Sequence, residues 1–334
     1  MKRPGPSSAA ANATVICPVR DLGVLWFDGR DAEAFLQGQL SSDVAALAPG
    51  ASQRSSYNSP SGRMLASLRL WRDPDVASGH AYGALLASGL AAPIAKRLGM
   101  FVLRSEVAIA DATAAHAVLG IAGPRAAETM TGTFGATPVP NGVVTIAGGT
   151  ARLIRLPDDR FLIVAMAEAE GDIRRALGTR LVTGDAALWR WWSIRAGVPL
   201  ITAVTSDRFV PQMLNWDALD GISFQKGCYP GQEIVARTRY LGRLKERLYA
   251  FHLDSPSAPD PGTRVFSPAF GEQPCGTIVN AAPAPDGGIA LLAVVQIAAA
   301  ESGVVSLAAP DGPALRSVAL PYSITPAEPP RRSA

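Results

Sequence analysis

The chain has 334 residues, of which 48% are hydrophobic and 18% charged, with a formal net charge of +3. These proportions exclude an intrinsically disordered chain, and so small a positive surplus does not by itself argue for nucleic acid. The length accommodates two or three domains, each with its own core. No apolar run reaches the roughly 20 residues that cross a bilayer. The best candidate, 289–300, is interrupted by Gln296, so no membrane contact is expected. Cys17, Cys228 and Cys275 are odd in number and far apart, which argues against a disulfide framework and for a reducing compartment, the cytoplasm. Residues 1–13 are rich in Pro, Ser and Ala and lack the apolar centre of a secretory signal. They and 326–334 are expected to be loose tails.

Residues 15–27 alternate and are rich in branched side chains, the pattern of one or two strands. Asp28-Gly29-Arg30-Asp31 reads as a turn with Asp31 as a helix cap. Beyond it Ala34, Phe35, Leu36 and Leu40 recur at helical spacing. Between 55 and 72, two strands flank Ser59-Pro60-Ser61-Gly62-Arg63, which predicts a hairpin. Residues 89–101 read as a helix and 102–110 as a strand. Val118-Leu119-Gly120-Ile121-Ala122-Gly123-Pro124-Arg125 is a strand entering a glycine turn and a helix. It lacks the three-glycine spacing of a dinucleotide fingerprint, and a helix started by Pro124 is the simpler account. Residues 143–156 and 161–166 read as strands and 167–177 as a helix. Asp185 caps a helix running to Ala196, with Gly197 past its end and Pro199 beyond. That helix carries Trp189, Trp191 and Trp192, and its first and third tryptophans share a face. The elements alternate without regular βαβ spacing, which predicts an α+β fold with antiparallel sheets. Residues 247–253 read as a strand and 256–261 as a linker. Short runs at 263–266, 275–279, 289–296, 304–307 and 314–320 predict a small carboxy-terminal β-barrel.

The chemistry-bearing residues are densest in Lys226-Gly227-Cys228-Tyr229-Pro230-Gly231-Gln232-Glu233. Gly227 and Gly231 permit tight turns, and Pro230 suits the first position of a helix over 231–239 that carries Ile234 and Val235 inward. Cys228 is then placed ahead of a helix N-terminus and beside Lys226, a setting that favours a reactive thiol; a buried cysteine in a tight turn is the alternative. Lys226, Arg237, Arg239, Arg243, Lys245 and Arg247 are opposed only by Glu233 and Glu246, a basic strip suited to carboxylates or phosphates. His80, His116 and His252 stand isolated, and neither Cys-x-x-Cys nor His-x-x-x-His occurs. A Ser–His–Asp hydrolase and a zinc site are therefore not expected.

The 226–233 octet, preceded by Pro-Gln-x-x-Asn at 211–215 and by Phe35-Leu36-Gln37-Gly38-Gln39-Leu40-Ser41-Ser42-Asp43-Val44, resembles the signatures of the YgfZ family. These are folate-binding relatives of the glycine-cleavage aminomethyltransferase. The resemblance implies an α+β, aminomethyltransferase-like fold: a folate-binding region of two interleaved subdomains over 14–245 and a β-barrel over 246–325. It implies tetrahydrofolate or a folate derivative as ligand, with Trp189, Arg195, Gln212 and Asn215 as binding residues. Cys228 is the functional thiol it implies, with Lys226, Gly227, Tyr229, Gly231, Gln232, Glu233 and Arg237 completing the motif. It further implies a monomeric accessory protein for iron–sulfur enzymes, including tRNA-modifying radical-SAM enzymes, with tRNA contact through the basic strip. A tetrahydrofolate-dependent aminomethyltransferase is the alternative. Three positions depart from the wider pattern. The hairpin stretch Gly62–Ser67 has no aspartate where the aminomethyltransferases carry one. Leu22 falls where close relatives have a pocket tryptophan. Arg195 stands where many relatives have glutamate; a donor-only side chain cannot accept from a pterin edge, which leaves attraction of a folate carboxylate or a pterin held by backbone carbonyls.

Overall fold

Strands that bury both faces read as continuous apolar runs, and those with one wet face alternate; both kinds occur here and sort into three sheets. The computed structural model describes residues 13–75, 81–240 and 244–324. The chain begins with β1 (Val15–Pro18) and β2 (Leu22–Asp28), then α1 (Ala32–Gln39) and the hairpin β3 (Ser52–Asn58) and β4 (Met64–Arg72). There follow β5 (Tyr82–Ala87), α2 (Ser88–Gly99), β6 (Ala108–Asp111), β7 (His116–Ala122), α3 (Ala126–Phe134), β8 (Val143–Ile146), β9 (Ala151–Arg155) and β10 (Phe161–Met166). Next come α4 (Glu170–Leu177), β11 (Val182–Thr183), α5 (Ala186–Arg195) and α6 (Gln232–Tyr240). The last part holds β12 (Glu246–Leu253), β13 (Arg264–Phe266), β14 (Gly276–Pro283), β15 (Ile289–Gln296), α7 (Ile297–Ser302), β16 (Ser306–Leu307) and β17 (Arg316–Val318). Among the described residues no helix is long and apolar enough to cross a membrane.

The strand orders are β3-β4-β5-β2-β6, β11-β1-β7-β10-β9-β8 and β16-β13-β14-β15-β12-β17. Every pairing between these strands is antiparallel except that of β1 with β11. In β10 the period-2 rule sends Phe161, Ile163 and Ala165 toward α3 and α4, where Met130, Ile173 and Leu177 meet them. Leu162 and Val164 face the other way, into the central core shared with the first sheet and α5. The Asp185 carboxylate accepts from the Leu188 N–H at 2.9 Å, and Gly197 leaves the helix with φ +66°, so both predicted ends of α5 are present. This helix packs against β1 and β7 on one side and β14 and β15 on the other. The third sheet curls into a half-barrel. Residues 314–318 span its gap, from a bridge at Ser306 to pairing with β12.

Several elements differ from the sequence expectation. Strand β5 was not anticipated, because Tyr-Gly-Ala-Leu-Leu-Ala is a fully buried run without alternation. The strand expected over 102–110 is confined to Ala108–Asp111; Leu103 is left-handed at φ +48° and fully turned to solvent. Residues 143–156 form two strands, parted by left-handed Ala147, Gly148 and Gly149. Helix α6 begins at Gln232, so Pro230 lies in the preceding turn, and only Val235 is buried while Ile234 is exposed.

The half-barrel is tied to the rest through buried polar groups. Arg247 of β12 forms a fork on Asp217, with Nη1 and Nη2 at 2.6 and 2.9 Å from the two carboxylate oxygens, and Nη1 also donates to the Gln212 carbonyl at 2.9 Å. Asn215 Nδ2 donates to the Leu248 carbonyl at 2.9 Å. Asp217 keeps part of its side chain in water, so the loss of Arg247 falls on the fork and on the buried Gln212 carbonyl. Arg247→Met is expected to lower the unfolding free energy by about 2 kcal/mol, read from the urea midpoint. The Arg247→Met, Asp217→Leu double variant should recover part of that loss.

Candidate functional site: a cysteine loop and an arginine-lined cavity

The Lys226–Glu233 loop is held from both ends. Lys226 is buried, and its ammonium donates to the carbonyls of Gln37, Leu40 and Ser42 at 2.6, 2.7 and 2.9 Å. Those carbonyls close α1, where the negative end of the helix dipole favours a cation. Burial lowers the Lys226 pKa to about 8, with Asp43 opposing. At the other end, Gly231 (φ +77°) lies against Gly62 (φ +73°) in the hairpin turn. A Cβ on Gly231 would stand 2.5 Å from the Gly62 Cα and the Ser59 carbonyl oxygen, and one on Gly62 would meet the Ile234 Cβ at 2.7 Å. Gly227 faces open space and stays outside the left-handed region, so neither space nor backbone conformation requires glycine there. Gln212 Nε2 reaches the Val235 carbonyl at 2.6 Å and fixes α6.

The three sulfurs divide sharply. Cys17 and Cys275 are buried and Cys228 is exposed. Burial, with Asp185 adding to it, pushes the Cys17 thiol up to about 12, and burial also raises Cys275. The three Lys226 donors are all taken by carbonyls, so none is left to hydrogen-bond the Cys228 sulfur. Tyr229 is buried, its phenol pushed up to about 12 by burial and its hydroxyl without an acceptor among the described residues. The Lys226 ammonium lies 5.4 Å from the Tyr229 ring centroid. Gln232 is half-buried at the start of α6, while Glu233 and Arg237 face solvent. The basic strip shrinks accordingly: Arg237, Arg239 and Lys245 are exposed, Lys226 and Arg247 are buried and bonded, and Arg243 lies outside the described residues. Arg239 stacks on Phe224 at 4.1 Å.

A cavity of about 550 Å³ opens elsewhere, walled by the first sheet, α5 and segments 198–204 and 258–261. Its size is that of a site for a mid-sized organic ligand. Leu22 and Trp189 line it, as do Leu68, Leu85 and Leu162. Trp189 is 5% exposed; it packs on the Gly120 backbone, and the Arg160 guanidinium lies over its ring at 4.8 Å. The indole is therefore not a bare stacking surface. Arg195 is absent from the wall: it is exposed and stacks on Trp191 at 5.0 Å and Trp192 at 5.7 Å. Gln212 and Asn215 are absent too, being occupied in the contacts that hold α6 and β12. The sequence reading missed Arg54, Arg69 and Arg160, which line the cavity together with Arg190, Asp21 and Asp260. Nothing in their local spacing marks them, since they come from three separate strands or strand ends. The wall takes no residue from the cysteine loop. The hairpin β3–β4 joins the two places: its turn receives Gly231, and its strands carry Arg54, Ser67 and Arg69 into the cavity.

No family model matches the chain. Its fold resembles the crystal structure of glycine cleavage system aminomethyltransferase T from Bartonella henselae, with a TM-score of 0.73 over 92% of this chain and 85% of that one, at 16% identity. Three sheets arranged in this way define an aminomethyltransferase-type fold. Relatives named tRNA-modifying protein YgfZ match along almost the whole chain. That of Enterobacter sp. (strain 638) is 30% identical over 322 residues, 96% of each chain, and that of Serratia proteamaculans (strain 568) is 32% identical over 288 residues, 84% of each. The chain belongs to the YgfZ family.

Two outcomes test the loop. Under native conditions a thiol reagent should titrate one cysteine per chain, Cys228, and all three after denaturation; Cys228→Ala should abolish the native reaction. Lys226→Met leaves three carbonyls without a donor and is expected to cost about 2–4 kcal/mol, read from the urea midpoint. Lys226→Arg should recover little of it, because a planar guanidinium does not fit three carbonyls that converge on one nitrogen.

Proposed function

We propose that this protein is an accessory protein of tRNA modification that binds a folate-class ligand in its cavity and supports iron–sulfur enzymes through Cys228. The observation that carries the reading is the one exposed sulfur, mounted on a loop fixed by Lys226 on one side and by the Gly231–Gly62 contact on the other. The names of its relatives and the aminomethyltransferase-type fold support the tRNA and folate parts. A four-iron cluster commonly takes four cysteine thiolates, and this chain offers one at its surface. Cys228 thus acts as a transient ligand to a cluster whose other ligands come from the client enzyme. Exposed Arg237, Arg239 and Lys245 flank the loop and supply positive charge toward tRNA. One-carbon transfer is the weaker reading, because the hairpin brings Ser67, Leu68 and Arg69 to the cavity wall and no carboxylate.

The test is complementation of a strain lacking its own copy, with methylthiolated adenosine in tRNA measured by mass spectrometry. The wild-type chain should restore the modified base and Cys228→Ala should leave it at the level of the deletion. Full rescue by Cys228→Ala would remove the sulfur from the mechanism.

A further inference from the structure

Four arginines line the cavity. Arg190 is paired with Asp21 at 3.0 Å, which leaves three: Arg54 from β3, Arg69 from β4, and Arg160 from the residue before β10. Only Arg160 has a carboxylate partner, with Nε 2.7 Å from Asp158; its Nη1 donates to the Ser193 hydroxyl at 2.9 Å. Arg69 Nη1 donates to the neutral Asn141 amide oxygen at 2.8 Å. Arg54 Nη1 donates to the Leu219 carbonyl at 3.1 Å, and its Nε is shut from solvent with no acceptor among the described residues. Of the other acids nearby, Asp21 is taken by Arg190 at 3.0 Å, Asp220 is exposed, and Asp260 stands on the 258–261 segment. Burial lowers the pKa of Arg69, with Arg54 and Arg160 adding to the fall and Asp158 opposing it; burial lowers Arg54, where Asp158 opposes and Arg160 adds. Among the described residues Asp158 is the one carboxylate ion-paired within the group, and Asp220 acts on Arg54 from an exposed position. Like charges partly withdrawn from water repel one another, and an oxyanion relieves that repulsion. The guanidinium fork fits two oxygens of a carboxylate or phosphate. Beside these groups the wall is apolar, with Leu68, Leu85, Leu156 and Leu162, which suits the body of an organic ligand.

We propose that Arg54, Arg69 and Arg160 form an oxyanion seat, and that this seat orients a ligand made of an apolar ring system bearing a carboxylate or a phosphate. The inference deepens the folate-class reading and rests on it for the natural occupant, whose glutamyl carboxylate would fill the seat; a phosphate ester is the other source of the same chemistry.

The full chain is titrated, by tryptophan fluorescence and calorimetry, with tetrahydrofolate, with 6-methyltetrahydropterin, which keeps the ring and lacks the acid, and with inorganic pyrophosphate. Tetrahydrofolate is expected to bind about tenfold or more tightly than the acid-free pterin. Arg54→Gln and Arg69→Gln should each weaken tetrahydrofolate by about tenfold or more while leaving the pterin unchanged. Two variants are used because Arg69 also holds Asn141, and a melting curve establishes which of them is folded before titration. Binding of pyrophosphate but not of tetrahydrofolate, lost in the same variants, keeps the seat, assigns it to a phosphate and overturns the folate reading. Equal tetrahydrofolate affinity in the wild type and the folded variants overturns the seat and leaves the folate reading standing. Failure of both anions to bind the wild type overturns both.

Discussion

One ammonium group carries much of this architecture. Lys226 reaches back across about 185 residues of sequence and gives its protons to the carbonyls that end α1. A helix end buried without donors would leave those carbonyls unsatisfied, and a lysine buried without acceptors would discharge. Each defect cancels the other. The loop that carries Cys228 is therefore mounted on the end of the first helix, and its geometry does not depend on the strand or helix propensity of its own residues.

Around that anchor the chain keeps two places apart. The exposed sulfur lies on a loop pinned by Lys226 and by two glycines in contact, whereas the cavity lies between the first sheet and α5 and shares no wall residue with the loop. Their common element is the β3–β4 hairpin, whose turn touches the loop and whose strands carry arginines to the cavity. The arrangement gives the cavity and the exposed cysteine a physical connection without placing them in one site.

Charge is sorted in the same way. Two residues of the basic strip, Lys226 and Arg247, are internal ties, one to backbone carbonyls and the other to Asp217. The arginines gathered at the cavity come from positions 54, 69 and 160, where they are scattered among ordinary strand residues. Arg195, which the family resemblance implies as a binding residue, lies outside on Trp191 and Trp192.

The sequence by itself determined the family motifs, the hairpin at Gly62, both ends of α5 and most of the carboxy-terminal strands, because each rests on local signals: caps, turn glycines and apolar period. It also singled out Cys228, through the company of Gly231 and Gln232. Only the tertiary structure decided which sulfur meets solvent, that Lys226 bonds the carbonyls of Gln37, Leu40 and Ser42, that Gln212 and Asn215 tie α6 and β12, and that distant arginines share one cavity. Local spacing records which face of an element a side chain occupies, not what another sheet or helix places opposite that face. Those assignments therefore rest on contacts between residues far apart in the chain, which no local pattern contains.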